Sequence, residues 1–253
     1  MTICVWGALL VFHILRSVIL GSLTLFVCLP RCRRVIGALE YDPELSSHQV
    51  CHRAFLRDKA RFKQVVPFED QVVTRKIHQN FHLGFLKDVV LPRALDDSTF
   101  AALNQLLFLN NVHIVTSITN DMPFLQGLRE KLADEAATAE QLLEALRLLQ
   151  EVCAVTKTLQ LFHRAAFYRR LVDHGYFVPL GGFLGRSEPA LRLAAIDVLL
   201  SSTLHDPSLL RAYMLQQRPN GPMLRALLRV ITSVEASGEK PQVRRTLGCE
   251  LKL

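Results

Sequence analysis

The sequence predicts an all-α protein, a stack of paired amphipathic helices, on three observations. Leucine dominates a chain that is 50% hydrophobic, with only 12 Gly and 11 Pro among its 253 residues, so it can bury a core and carries few breaks. Alternating runs of β-branched residues are few, which disfavours sheet. From Val35 to Val234 apolar residues recur at helical spacing, with caps and prolines between the runs.

The first 34 residues stand apart. Ile3 to Leu29 is almost wholly apolar and long enough to cross a bilayer, and Pro30 and the basic run Arg31-Cys-Arg-Arg34 follow it. His13 and Arg16 fall near its centre, where an arginine costs about 2.5–3.5 kcal/mol on insertion. A secretory signal would carry its basic residues before the apolar stretch, not after it. Three readings stay open: a helix packed on the repeats, a membrane anchor through residues 3–29 with its positive end cytoplasmic, and an alternative start without evolved structure.

Beyond Leu29 charged and apolar residues mix, and Asp42-Pro43 suggests a helix start. His52 to Val65 places Phe55, Leu56, Ala60 and Phe62 between basic residues, as a surface helix would, and Val72 to Leu86 continues until Leu91-Pro92 breaks it. Thr99 to Asn110 is apolar enough to face two neighbours. Thr138-Ala-Glu-Gln141 reads as a capping box opening a long helix with Leu142, Leu143, Leu146, Leu149, Val152 and Cys153 at helical spacing. Gly175 and Gly185 fall where helices end in a left-handed residue, and Pro189 and Asp206-Pro207 open the helices that follow. Residues 235–253, polar and interrupted by Gly238, Pro241 and Gly248, read as a frayed tail.

Gly175-Tyr-Phe-Val-Pro-Leu-Gly-Gly-Phe-Leu-Gly185, followed by Pro189-Ala-Leu-Arg-Leu-Ala-Ala-Ile-Asp-Val-Leu-Leu200, is the clearest unit. It resembles one armadillo or HEAT repeat, a short helix and a longer one joined by a polar turn. Neither helix buries its apolar stripe without the next repeat, so such units stack and leave an extended surface for a partner.

No catalytic, cofactor-binding or metal-binding residue is assigned. His78 and His82 stand four apart on a helix, but His-Gln-Asn-Phe-His lacks the glutamate of the zinc-protease motif. Cys28, Cys32, His48, Cys51 and His52 match no common zinc-finger spacing. Gly181-Gly182-Phe-Leu-Gly185 lacks the lysine and hydroxyl of a phosphate loop, so its glycines are read as allowing close helix packing, and Ser201, Ser202 and His205 form no nucleophile elbow. The six cysteines, at 4, 28, 32, 51, 153 and 249, lack a disulfide framework and read as reduced thiols. The net charge of +7 suits an acidic partner, yet the basic residues are scattered, as on the solvated faces of helices, and nothing supports nucleic-acid binding.

Val35-Ile-Gly-Ala-Leu-Glu-Tyr-Asp-Pro43, Phe62-Lys-Gln-Val-Val-Pro67, Lys76-Ile-His-Gln79 and Asp88-Val-Val-Leu-Pro92 stand in an order that resembles the central region of protein phosphatase 4 regulatory subunit 3, the SMEK or falafel family. Leu132-Ala-Asp-Glu-Ala-Ala-Thr138, Thr158-Leu-Gln160, Arg164-Ala-Ala-Phe167 and Ala194-Ala-Ile-Asp197 extend the likeness across residues 35–234. The resemblance implies a non-catalytic subunit whose helical repeats bind the phosphatase 4 catalytic and scaffold subunits, in the nucleus and cytoplasm, without a cofactor. Family members also carry a pleckstrin-like or EVH1-like recruiting domain and further repeats that find no counterpart here, so a truncated, divergent paralogue or alternative product is expected. The alternatives are a membrane-tethered helical adaptor and a product with no stable complex.

Overall fold

The computed structural model describes residues 36–37, 40, 51–58, 62–90, 97–217 and 221–236. The expectations for residues 1–34, for Asp42-Pro43 and for the tail past Ala236 lie outside them. Among the described residues the regular elements are all helical: α1 (His52–Asp58), α2 (Gln71–Phe85), a π-helical turn (Leu86–Val90), α3 (Asp97–Asn120), α4 (Met122–Ala133), α5 (Ala139–Lys157), α6 (Leu161–Asp173), α7 (Phe177–Phe183), α8 (Pro189–His205), α9 (Pro207–Gln216) and α10 (Pro222–Ala236). The all-α expectation is met. Two compact units share them, one ending at Ile114 within α3, the other formed by Val65–Glu69 and the chain from Val115 onward.

In the first unit Ile36, Leu56, Leu83, Leu86 and Leu103 form the core, with Phe85, Leu106 and Leu107 packed against it. Phe55 stacks on Phe85 with ring centroids 5.5 Å apart. Between α2 and α3 runs a ladder of amides. The Asn110 amide donates to Gln79 Oε1 at 3.2 Å and to Asn80 Oδ1 at 2.9 Å, and Lys76 Nζ donates to Asn110 Oδ1 at 3.0 Å. Asn110 is only 2% exposed, so these bonds offset the cost of burying it and fix one register of α2 on α3.

One expectation fails in this region. The helix expected from His52 to Val65 ends at Asp58 in the described residues, and Phe62–Asp70 has no helical backbone. Pro67 carries no N–H and biases Val66 before it towards extended backbone. The freed segment Val65–Glu69 instead lies along the second unit. Val66 packs 3.4 Å from where a Gly127 Cβ would stand, Phe68 stacks on Phe124 at 4.6 Å, and Lys131 Nζ donates to the Val65 carbonyl at 2.6 Å.

In the second unit each helix packs on the one three positions later: α4 on α7, α5 on α8, α6 on α9 and α7 on α10. Consecutive helices pack as well, α4 on α5, α7 on α8 and α8 on α9; α6 buries Phe167, Tyr168 and Leu171 and carries four basic or histidine positions in 13 residues. Thr138 caps α5 through the expected box, with Gln141 N donating to Thr138 Oγ1 at 3.3 Å and Thr138 N donating to Gln141 Oε1 at 3.0 Å. Leu142, Ala145, Leu146, Leu149, Val152, Cys153 and Thr156 are buried along one face of α5, each large apolar side chain contributing about 1.5–3 kcal/mol. α8 is buried nearly all round because α5, α6, α7 and α9 all touch it. Buried hydroxyls turn inward, as where Thr156 Oγ1 donates to the Val152 carbonyl at 2.7 Å.

Gly175 has φ 70°, the left-handed end expected of α6. Gly185 does not, and Gly221, with φ 34°, takes that conformation before α10.

Candidate protein-interaction surface

The surface that α8 leaves open to a partner is narrow. Leu191, Ala194, Ala195, Ile196 and Val198–Ser202 of α8 are buried, and Arg192 is half-buried. What faces outward is a stripe of Ala190, Leu193, Asp197 and Leu204, in which Leu193 is 53% and Leu204 55% exposed. Spacings of three, four and seven residues put these on one side of the helix.

Asp197 ties this stripe to α5. Its Oδ2 accepts from Gln150 Nε2 at 2.9 Å. Arg147 and Ala154, three residues before and four after Gln150, are exposed, as is Glu151. The result is a two-helix ridge in which exposed leucines alternate with a guanidinium and carboxylates. Apolar anchors within a polar rim are how protein interfaces are built.

Near the ridge, burial sets the protonation of the ionisable groups. Burial pushes the Cys153 thiol up to about 12, although Tyr168 and Lys157 partly oppose this, so it stays a protonated thiol. The Tyr168 ring stacks on His205 with centroids 5.1 Å apart. Burial, with Arg164 adding to it, lowers the His205 pKa, while Asp206 opposes. Asp206, the N-cap of α9, is itself held low by the bond its carboxylate accepts from Ser208.

The histidine pair of the sequence lies on α2. His82 Nδ1 donates to the His78 carbonyl at 2.7 Å, and the His78 ring meets Phe62 edge-on at 4.6 Å. Both rings are therefore engaged in packing. Among the described residues no group of three or more His, Cys, Asp or Glu side chains is placed to hold a metal ion. Cys28, Cys32 and His48 lie outside them. Among the described residues, too, no helix is long and apolar enough to cross a membrane; Ile3–Leu29 lie outside.

Packed helices with a mixed apolar and charged ridge define a helical protein whose surface is suited to binding other proteins. The comparisons give its family. The sequence profile described as Phosphatase 4 regulatory subunit 3 matches residues 31–251, and the chain belongs to that family. It is 37% identical over 212 residues to "Suppressor of Mek1" of Dictyostelium discoideum, covering 83% of this chain and 20% of that protein. It is 28% identical over 212 residues to "Serine/threonine-protein phosphatase 4 regulatory subunit 3" of Drosophila melanogaster, covering 83% of this chain and 22% of that protein. An uncharacterized protein of Schizosaccharomyces pombe is 33% identical over 175 residues, 69% of this chain and 21% of that protein. The chain spans about a fifth of the length of these curated relatives. No solved structure matches it significantly.

Proposed function

We propose that this chain is a non-catalytic regulatory or scaffolding subunit of a phosphatase 4-type serine/threonine phosphatase complex, acting in the nucleus and cytoplasm. The α5–α8 ridge binds the catalytic and scaffold subunits, with Leu193 and Leu204 as the apolar contacts. The observation that carries this reading is the family match across residues 31–251, which includes every residue of the ridge.

The test is co-purification of the tagged full chain from cells, blotted for the phosphatase 4 catalytic and scaffold subunits, beside a Leu193→Asp/Leu204→Asp variant. Both partners are expected with the wild type and neither with the variant, whose circular dichroism should be unchanged because both leucines are half-exposed. Absence of both partners from the wild type, or equal recovery by the two proteins, overturns the proposal.

A second reading, tethering to a membrane, rests on the apolar run Ile3–Leu29. Carbonate-resistant pelleting that disappears on deleting residues 1–34 supports it. Full release by carbonate sinks it.

A further inference from the structure

The contact between α7 and α10 leaves a cleft whose chemistry differs from that of the α5–α8 ridge. A Cβ on Gly181 of α7 would stand 3.0 Å from the sulfur of Met223 on α10, and Met223 is buried. The missing side chain therefore lets the start of α10 come close against α7. Where α7 has ended, the surface opens into a cleft of about 430 Å³ lined by Leu184, Gly185, Pro222, Arg225, Ala226 and Arg229.

Leu184 is buried and gives the cleft an apolar floor, with Pro222 and Ala226 beside it. Arg225 and Arg229 are both exposed and stand four residues apart on α10. Among the described lining residues two are cationic and none is anionic. Pro222 is the first residue of α10, whose N-terminal amides add partial positive charge at the same end.

We infer that this cleft binds an acidic peptide segment of a partner protein, with two carboxylates on Arg225 and Arg229 and an apolar side chain over Leu184. The spacing agrees. Side chains four apart on a helix stand about 5–6 Å apart at Cβ, and alternate side chains of an extended peptide about 6.6 Å apart. Two carboxylates on one side of an extended segment therefore meet two guanidiniums, each of which accommodates a carboxylate with paired donors. Among its described lining residues the cleft has no aromatic ring on which a nucleic-acid base would stack. The site lies on helices other than the proposed phosphatase-binding ridge, so the two readings fail independently.

The test uses the full chain and a fluorescein-labelled octapeptide of alternating glutamate and leucine, read by anisotropy. Wild type is expected to bind it saturably and more weakly as salt rises. Arg225→Glu/Arg229→Glu should weaken binding about tenfold, with Arg225→Gln/Arg229→Gln intermediate, as loss of two exposed charge pairs implies. Lys157→Glu, exposed on α5, should leave binding unchanged, which separates the cleft from net charge. Equal binding by wild type and both Arg225/Arg229 variants overturns the proposal. So does an equal loss with Lys157→Glu, or an oligo-dT strand that binds wild type more tightly than the peptide and is released by the same double substitution.

Discussion

The Tyr176 hydroxyl, buried in the turn before α7, donates to the Leu125 carbonyl of α4 at 2.7 Å. Burial raises the Tyr176 pKa well above the usual phenol range, Arg129 only partly opposing, so the group remains a donor. A carbonyl inside a helix keeps a second lone pair for such a bond. This one fixes where α7 sits on the helix three positions before it. Tyr176→Phe keeps the ring and removes the bond, and is expected to cost about 1 kcal/mol and lower Tm by about 2–4 °C. Thermal denaturation followed by circular dichroism measures it, and an unchanged Tm means the bond contributes nothing.

Asp121 serves two elements. Its Oδ1 accepts from Phe124 N at 2.9 Å, capping α4, and its Oδ2 accepts from Glu69 N at 3.0 Å, holding the Val65–Glu69 segment. Asp121→Ala should cost about 1–2 kcal/mol. It should also speed hydrogen exchange at Glu69 more than in the middle of α5. Equal protection at Glu69 in both proteins would show that Val66 and Phe68 alone hold the segment.

The two described cysteines should differ in reactivity. Cys51 is exposed and Cys153 buried, with its thiol pushed up to about 12 by burial. Iodoacetamide should label Cys51 in the folded protein, and Cys153 only after denaturant is added. Peptide mapping by mass spectrometry distinguishes them. Rapid native labelling of Cys153 would mean that α5 opens locally.

His205 should make stability depend on pH in one direction. Its folded pKa lies below the ordinary 6.5, so the unfolded chain takes up the proton first and stability is lost as pH falls from about 6.5 towards the folded pKa. Above 6.5 the group is neutral in both states and contributes no slope. Tm should therefore fall between about pH 7.5 and about pH 5.5 by more in wild type than in His205→Gln. Equal falls would assign the effect to other groups, such as His52, whose pKa burial also lowers.

Much of the fold was legible because local rules agreed with tertiary packing. The Thr138 box, Pro189 and Pro207 at helix starts and the left-handed Gly175 each follow from chemistry within a few residues. Gly185 was misread because a glycine after an apolar run carries no record of which φ the packing selects. The end of α1 was misread because apolar residues from Phe55 to Phe62 keep helical spacing, whereas Val66 and Phe68 gain more by packing against Gly127 and Phe124. Apolar residues spread around α8 give its sequence no single preferred face, so the exposed Leu193 and Leu204 of the candidate ridge could not be told in the sequence from the buried leucines beside them.

By itself the sequence determined the all-helical class, the positions of most helix starts and, through its ordered run of phrases, the family. Each of these depends on residues close together along the chain. Only the tertiary structure decided that helices pack on those three positions later, that α8 is enclosed by four neighbours, and that Gly181 lies close against Met223. The reason is that helical periodicity states which side chains share a face, while what covers that face is set by residues about 45–55 positions away, at the distance of the next repeat.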